Sequence, residues 1–184
     1  MRTFIALELP DDVRTVLAAA QQELQAAQAD VSWTRPESLH LTLKFLGEIE
    51  AGQVGAVSEA CARSVAGSGP FKLSVRDVGM LPNAKQPRVF YAGLRGETET
   101  LMQVQARLEG ALAALGFAKE SRAFRPHITL GRVKSARNLR ELVACATRLR
   151  LATDEFEVVE IVLMQSELRP AGARYSPLAR FNCR

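Results

Sequence analysis

The chain has 184 residues, with 24 Lys and Arg against 20 Asp and Glu, 47% hydrophobic and 24% charged. This is ordinary globular composition and excludes a disordered or collagen-like chain. A chain of this length buries roughly 70% of its unfolded surface and needs neither disulfides nor a metal to fold. The formal net charge of +4 permits a polyanionic partner such as RNA without requiring one.

Three cysteines without CxxC spacing, Cys61, Cys145 and Cys183, fit a reduced cytoplasmic chain. Cys183, beside the C-terminus, is expected as an exposed thiol. The apolar run Phe4–Leu7 stops at Glu8 and is followed by Asp11 and Asp12, which argues against a signal peptide. No apolar stretch reaches the length of a membrane helix.

Arg2–Leu9 predicts a first strand closed by Pro10. Asp11 caps a helix reaching Gln28, with Val13, Val16, Leu17, Ala20 and Leu24 on one stripe. Strands are expected over Val31–Thr34 and Leu39–Leu46 around the turn residues Pro36-Glu37-Ser38. A second helix fits Ala51–Ala66, ended by Gly67-Ser68-Gly69-Pro70. Strands Phe71–Val78 and Arg88–Leu94 follow, separated by a loop rich in turn residues. Glu97–Leu115 carries Leu101, Val104, Leu108, Leu112 and Leu115 at helical spacing, with Gly116 just past its end. His127–Val133 is a strand, Ser135 caps a helix reaching Arg150, and Phe156–Met164 and Tyr175–Asn182 are the last strands. Several strand pairs lack a crossover helix, so the pattern favours an α+β fold with mainly antiparallel sheets. No linker divides residues 1–184, and one domain is expected.

The only two histidines, His40 and His127, each begin a His-apolar-Thr-Leu tetrapeptide. Together with the similar order of elements, the repeat suggests two related lobes. Side chains alternate along a strand, so His40, Thr42 and Lys44 are expected on one face, with Leu41, Leu43 and Phe45 on the other. His127 and Thr129 likewise oppose Ile128 and Leu130. A single His-x-Thr on a strand is commonly a surface pair or a core histidine; two copies holding every histidine of the chain point to a site.

Two such faces across a cleft suit displacement at phosphorus, where one group takes a proton from the attacking oxygen and another protonates the leaving oxygen. Histidine fills either role near neutral pH. The threonine hydroxyls can donate to the non-bridging phosphoryl oxygens. With two histidines, isolated cysteines and no tight acidic cluster, a metal site would be poorly supplied with ligands. The two motifs are alike and do not by themselves assign the two roles.

At these residues the chain resembles the two-histidine phosphoesterase superfamily, specifically the bacterial and archaeal RNA 2′,3′-cyclic phosphodiesterases, also called 2′–5′ RNA ligases. The resemblance rests on five stretches in family order: Arg2–Leu7, Trp33 through His40-Leu41-Thr42-Leu43-Lys44-Phe45-Leu46-Gly47, Pro87–Gly93, Phe124 through His127-Ile128-Thr129-Leu130-Gly131-Arg132, and Ser166 to Tyr175. It implies a bilobal fold of two mainly antiparallel sheets with pseudo-twofold symmetry about a central cleft. It also implies hydrolysis of a terminal 2′,3′-cyclic phosphate to a 2′-phosphate, with His40 as proton donor and His127 as proton acceptor, and a related 2′–5′ ligation by an RNA 5′-hydroxyl. The partner would be RNA with such an end, for example tRNA halves, acted on by a monomer without cofactor or metal.

Arg132 occupies the family's basic position after the second motif, but strict alternation puts it on the side of Ile128 and Leu130, so a twist or bulge at Gly131 is needed to bring it round. Arg125 is an equal choice for contacting phosphate or RNA backbone. Lys44 is expected to make the first face positive. Tyr91 and Phe45 could stack on a base, although Phe45 shares the parity of core residues Leu41 and Leu43. The competing readings are a phosphodiesterase acting on a small nucleotide or 2′–5′ oligonucleotide, and a non-catalytic RNA-binding module.

Overall fold

The computed structural model describes residues 1–170 and 172–184. In chain order it contains β1 (Arg2–Glu8), α1 (Asp11–Gln25), β2 (Val31–Trp33), β3 (His40–Glu48), α2 (Val54–Val65), β4 (Phe71–Leu81), β5 (Val89–Gly96), α3 (Thr98–Ala113), β6 (Ile128–Val133), α4 (Leu139–Arg148), β7 (Phe156–Val158), β8 (Glu160–Arg169) and β9 (Gly172–Asn182). Short 3₁₀ turns at Pro36–Ser38 and Ala51–Gln53 precede β3 and α2.

Two expected helices end or begin elsewhere. α1 stops short because Gln28 takes a left-handed backbone (φ 54°). α4 starts at Leu139 rather than after Ser135, because Asn138 is left-handed (φ 51°) immediately before it. α3 closes as the sequence predicts, with Gly116 at φ 92° and Phe117 N–H bonded to the Leu112 carbonyl at 3.1 Å, the C-terminal pattern that favours glycine.

The strands run in the order β7-β4-β5-β6-β3-β1-β8-β9, with β2 on β6, and every registered pair is antiparallel. The two expected sheets are joined into one curled ladder by a single registered pair, Leu41↔Ile128, between the strands that carry the motifs. One half is β9-β8-β1-β3, and the other is β6-β5-β4-β7 with β2. The predicted strand Phe156–Met164 is therefore two strands. It breaks at Val159 because β7 pairs with β4 in one half and β8 with β1 in the other.

The helices are exchanged between the halves. α1, which follows β1, packs with α4, which lies against β4; α3, which follows β5, packs with α2 and contacts β3. The main core lies between sheet and helices and includes Ile5, Leu7, Leu41, Leu43, Phe90, Ala92, Leu108, Ile128 and Leu130. Phe4, Ala6, Val162 and Met164 form a second small cluster with Tyr175 on the opposite face of the sheet. Cys183 is buried, which corrects the expected exposed thiol, and burial pushes it and Cys61 above the usual thiol range, Cys61 to about 12.

Both motif strands carry a β-bulge at the same place. Ala6 pairs with Thr42 and Ile5 with Lys44, leaving Leu43 as the extra residue; Tyr91 pairs with Thr129 and Phe90 with Gly131, leaving Leu130 as the extra one. A bulge frees backbone groups from the ladder, and buried carbonyls need partners. The Leu130 carbonyl accepts from Thr34 N–H at 2.9 Å and from the Gln21 side-chain amide at 2.9 Å, and the same amide reaches the Thr34 carbonyl at 2.7 Å. The Leu43 carbonyl accepts from the Gln105 amide at 3.4 Å. Both glutamines are buried, one on α1 and one on α3, and each serves the motif of the opposite half.

Gln21→Met should lower stability by about 1–3 kcal/mol, because the Thr34 carbonyl loses its partner and the Leu130 carbonyl keeps only the Thr34 N–H. Urea unfolding should show a reduced midpoint with an unchanged slope; an unchanged midpoint would mean that the amide contributes nothing to the bulge.

Candidate active site

The bulges decide which side chains reach the cleft. Directly opposed residues of an antiparallel pair share a face, and Leu41↔Ile128 lie on the core side. Their neighbours therefore face the cleft, with His40 beside Thr129 and Thr42 beside His127 in the extended register. The four motif side chains form a crossed quartet, each histidine next to the other motif's threonine. Adjacent strands are about 5 Å apart and alternate residues about 7 Å apart along a strand, a spacing that suits one phosphoryl group.

Each imidazole is held from behind in the same way. His40 Nδ1 lies 2.7 Å from the Ser38 carbonyl, and His127 Nδ1 lies 2.7 Å from the Arg125 carbonyl. A carbonyl only accepts, so Nδ1 carries a proton in both rings, and in the neutral form each Nε2 presents its lone pair. The Thr42 hydroxyl lies 2.9 Å from His40 Nε2 and donates to it when the ring is neutral.

The surroundings of the two rings differ. Phe4 stacks at a tilt on His40 with centroids 4.8 Å apart, and Tyr175 meets the ring edge-on at 5.3 Å. Burial lowers the His40 pKa from the ordinary 6.5; the hydrogen bond to Ser38 opposes this, and the positive charge of Arg14 adds to it. Among the described residues His127 meets only the Tyr91 ring in this way, edge-on at 5.6 Å. Tyr91 reaches it by lying where a Cβ at Gly79 would stand.

Arg132 pairs with Val89, two residues from Tyr91 on β5, and therefore faces the cleft with Thr129. The required bulge is at Leu130 rather than Gly131. Gly131 has a separate reason, since a Cβ there would lie 2.6 Å from Val31 Cγ1 and 2.8 Å from Trp33 Cε3, so only glycine lets β2 pack against β6.

Two expectations are corrected by the matching bulge in β3. Lys44 does not face the cleft. It pairs with Ile5 on the helix side, is 4% exposed, and bonds Glu109 at 2.9 Å and the Ala118 carbonyl at 2.7 Å, so it ties β3 to the chain leading into the second motif. Phe45 is not core: it pairs with cleft-facing Phe4 and is 56% exposed. Phe45 and Arg132 occupy equivalent positions after the two bulges. Arg125 is exposed and enters the geometry through its backbone carbonyl.

A pocket of about 140 Å³ lies beside this aromatic group and is lined by Arg2, Phe4, Phe45, Gly47, Ser166 and Tyr175, together with Thr3. Phe4 and Tyr175 contact His40 and line this pocket, and motif reasoning missed both. Their only sequence signal was membership of the matching stretches at the two ends of the chain. Among the described residues no group of three or more His, Cys, Asp or Glu side chains could hold a metal ion, and no helix is long and apolar enough to cross a membrane.

A curled antiparallel sheet presenting two His-x-Thr strands to one cleft defines a two-histidine phosphoesterase. The family model described as LigT like Phosphoesterase matches residues 7–91 and 94–175, and this chain belongs to that family. It is 34% identical over 182 residues to the RNA 2′,3′-cyclic phosphodiesterase of Methanothermobacter thermautotrophicus, covering 98% of each chain. With the enzyme of that name from Thermus thermophilus it shares 33% over 198 residues, covering 100% of this chain and 91% of the relative. A Thermus thermophilus crystal structure superposes with a TM-score of 0.82 at 30% identity, covering 100% and 98%. Escherichia coli LigT complexed with 3′-AMP gives 0.81 at 28%, covering 98% and 97%.

The His40 ring should titrate below 6.5 when followed by NMR in the ligand-free protein. Tyr175→Ala, which admits water to the ring edge, should move that midpoint upward. A His40 midpoint at or above 6.5 that ignores this substitution would contradict the burial argument.

Proposed function

We propose that this protein is an RNA 2′,3′-cyclic phosphodiesterase, with residues 1–184 acting as one two-lobed domain and His40 and His127 dividing the acid–base work without a metal. The crossed quartet carries the reading. It offers two imidazole Nε2 atoms and two hydroxyls to a single phosphorus, and the names of the relatives support RNA as the substrate.

In the hydrolytic direction His127 Nε2 takes a proton from water as its oxygen attacks phosphorus. The bond to the 3′ oxygen breaks, His40 Nε2–H protonates that oxygen, and the products are a 2′-phosphate and a free 3′-hydroxyl. Thr42 and Thr129 donate to the non-bridging oxygens as charge builds there. Arg132 adds positive charge on the same face. An RNA 5′-hydroxyl in place of water gives a 2′–5′ linkage by the same steps.

Burial favours neutral His40 in the free protein, so the donor role requires the anionic phosphate, whose charge favours the protonated ring. Once charged, His40 no longer accepts from Thr42, and that hydroxyl is released to the phosphate. The pocket beside Phe45 and Tyr175 suits a nucleobase stacked on an aromatic ring.

The purified protein in EDTA should convert RNA ending in a 2′,3′-cyclic phosphate to the 2′-phosphate, with a bell-shaped pH profile whose limbs belong to the coupled pair. His40→Ala and His127→Ala should each cost about 10²–10⁴-fold, with the double variant little worse than either single one. No conversion between about pH 5 and 9, the range over which histidine changes charge, would overturn the reading, as would near-normal turnover in one single variant. Faster turnover of cyclic mononucleotides than of tRNA halves would point instead to a small-nucleotide substrate.

A further inference from the structure

A cavity of about 530 Å³ lies away from the quartet, lined by Arg76 and Asp77 of β4, Arg95 of β5, and Arg150, Leu151 and Ala152 of the α4–β7 connection. It brings three guanidinium groups together against one carboxylate. Arg95 lies 4.0 Å from Asp77, both side chains being mostly exposed, so this pair is weak. Among the described residues Arg76 and Arg150 enter no ion pair. The segment that carries Arg150 is fixed to the sheet, since Asp77 N–H bonds the Leu151 carbonyl at 2.9 Å and Ala152 bridges to Arg76.

The register relates this cavity to the catalytic face. Leu73, Val75 and Leu94 point into the core, so Arg76 and Arg95 lie on the opposite face, the one that carries Tyr91 and Thr129. Arg76 pairs with Gly93, and one step beyond the Ala92↔Ile128 pair Gly93 comes beside His127. His127, Gly93 and Arg76 thus form a row across three strands, about 10 Å from end to end. The middle position carries no side chain, and a Cβ there would lie 2.8 Å from the Arg76 carbonyl oxygen. The close approach of β4 therefore keeps a bare strip of sheet between the catalytic histidine and the arginines.

We propose that this cavity is a second anion site, which holds a backbone phosphate of single-stranded RNA upstream of the terminal phosphate reacting at His40 and His127. The inference rests on the RNA reading given above. Guanidinium groups bind phosphate through paired N–H donors. A backbone interaction of this kind adds affinity without base preference and weakens with salt. The site would thus make the enzyme favour an RNA strand over a mononucleotide, which has no upstream phosphate to offer. Asp77 opposes the bound phosphate and limits that affinity.

The test uses Arg95→Gln with Arg150→Gln, both exposed positions where a neutral side chain leaves folding intact. KM for an oligonucleotide ending in a 2′,3′-cyclic phosphate should rise roughly tenfold, and the salt slope of RNA binding should shrink by about 0.7 for each phosphate the variant no longer neutralises. kcat/KM for a nucleoside 2′,3′-cyclic phosphate should stay unchanged. Asp77→Asn should tighten RNA binding, its left-handed backbone (φ 63°) being one that asparagine tolerates. Equal reductions in kcat/KM on both substrates, or an unaltered salt slope, would overturn the proposal. Fluorescence anisotropy with an unreactive RNA bearing a 3′-hydroxyl reads the arginine site even if neither substrate turns over, and so separates its failure from that of the phosphodiesterase reading.

Discussion

The geometry of the candidate site depends on one antiparallel pair, Leu41↔Ile128. Among the described residues it is the only registered pair between the two motif strands, and it lies one residue past each histidine. Both side chains are fully buried in the main core, so the pair holds its register by apolar packing and cannot slip by one residue without turning both motifs inside out. Everything polar in the cleft follows from that anchor. His40, Thr42, His127 and Thr129 take the opposite face because Leu41 and Ile128 have taken the core.

The bulges at Leu43 and Leu130 extend the same logic. A regular strand would bring position 44 of one motif and position 131 of the other to the cleft. The extra residue instead delivers Phe45 and Arg132, an aromatic ring on one side and a cation on the other. The two halves are thus symmetric in backbone and different in chemistry. The same asymmetry marks the histidines. His40 sits among Phe4 and Tyr175 and is biased toward neutrality, whereas His127 has Tyr91 at its edge. Crossed support from Gln21 and Gln105 makes each motif depend on a helix that follows a strand of the other half, which couples the two halves mechanically.

Much of this is legible in the sequence. Helical spacing of Leu101, Val104, Leu108 and Leu112 locates α3, the apolar run Phe4–Leu7 locates β1, and alternation in the first motif locates β3. The repeated tetrapeptide locates the His and Thr pairs that face the cleft, because it uses every histidine in the chain. The bulges are not legible, since a bulge is a relation between two strands and leaves no mark on the periodicity of one. Parity alone therefore misplaces Lys44, Phe45 and Arg132, all for the same reason. The break at Val159 is hidden on similar grounds: an unbroken apolar run does not say that its two ends pair with different halves of the sheet. The carbonyls of Ser38 and Arg125 carry no side-chain signature at all.

The central claim is that His40 and His127 act from opposite sides of one phosphorus. A crystal structure with a nucleoside 2′-phosphate, the product of the proposed reaction, tests it most directly. The account predicts the phosphorus between the two Nε2 atoms, with the Thr42 and Thr129 hydroxyls on its non-bridging oxygens. A phosphate bound by one histidine alone, or bound with either Nε2 turned away from it, would contradict the account.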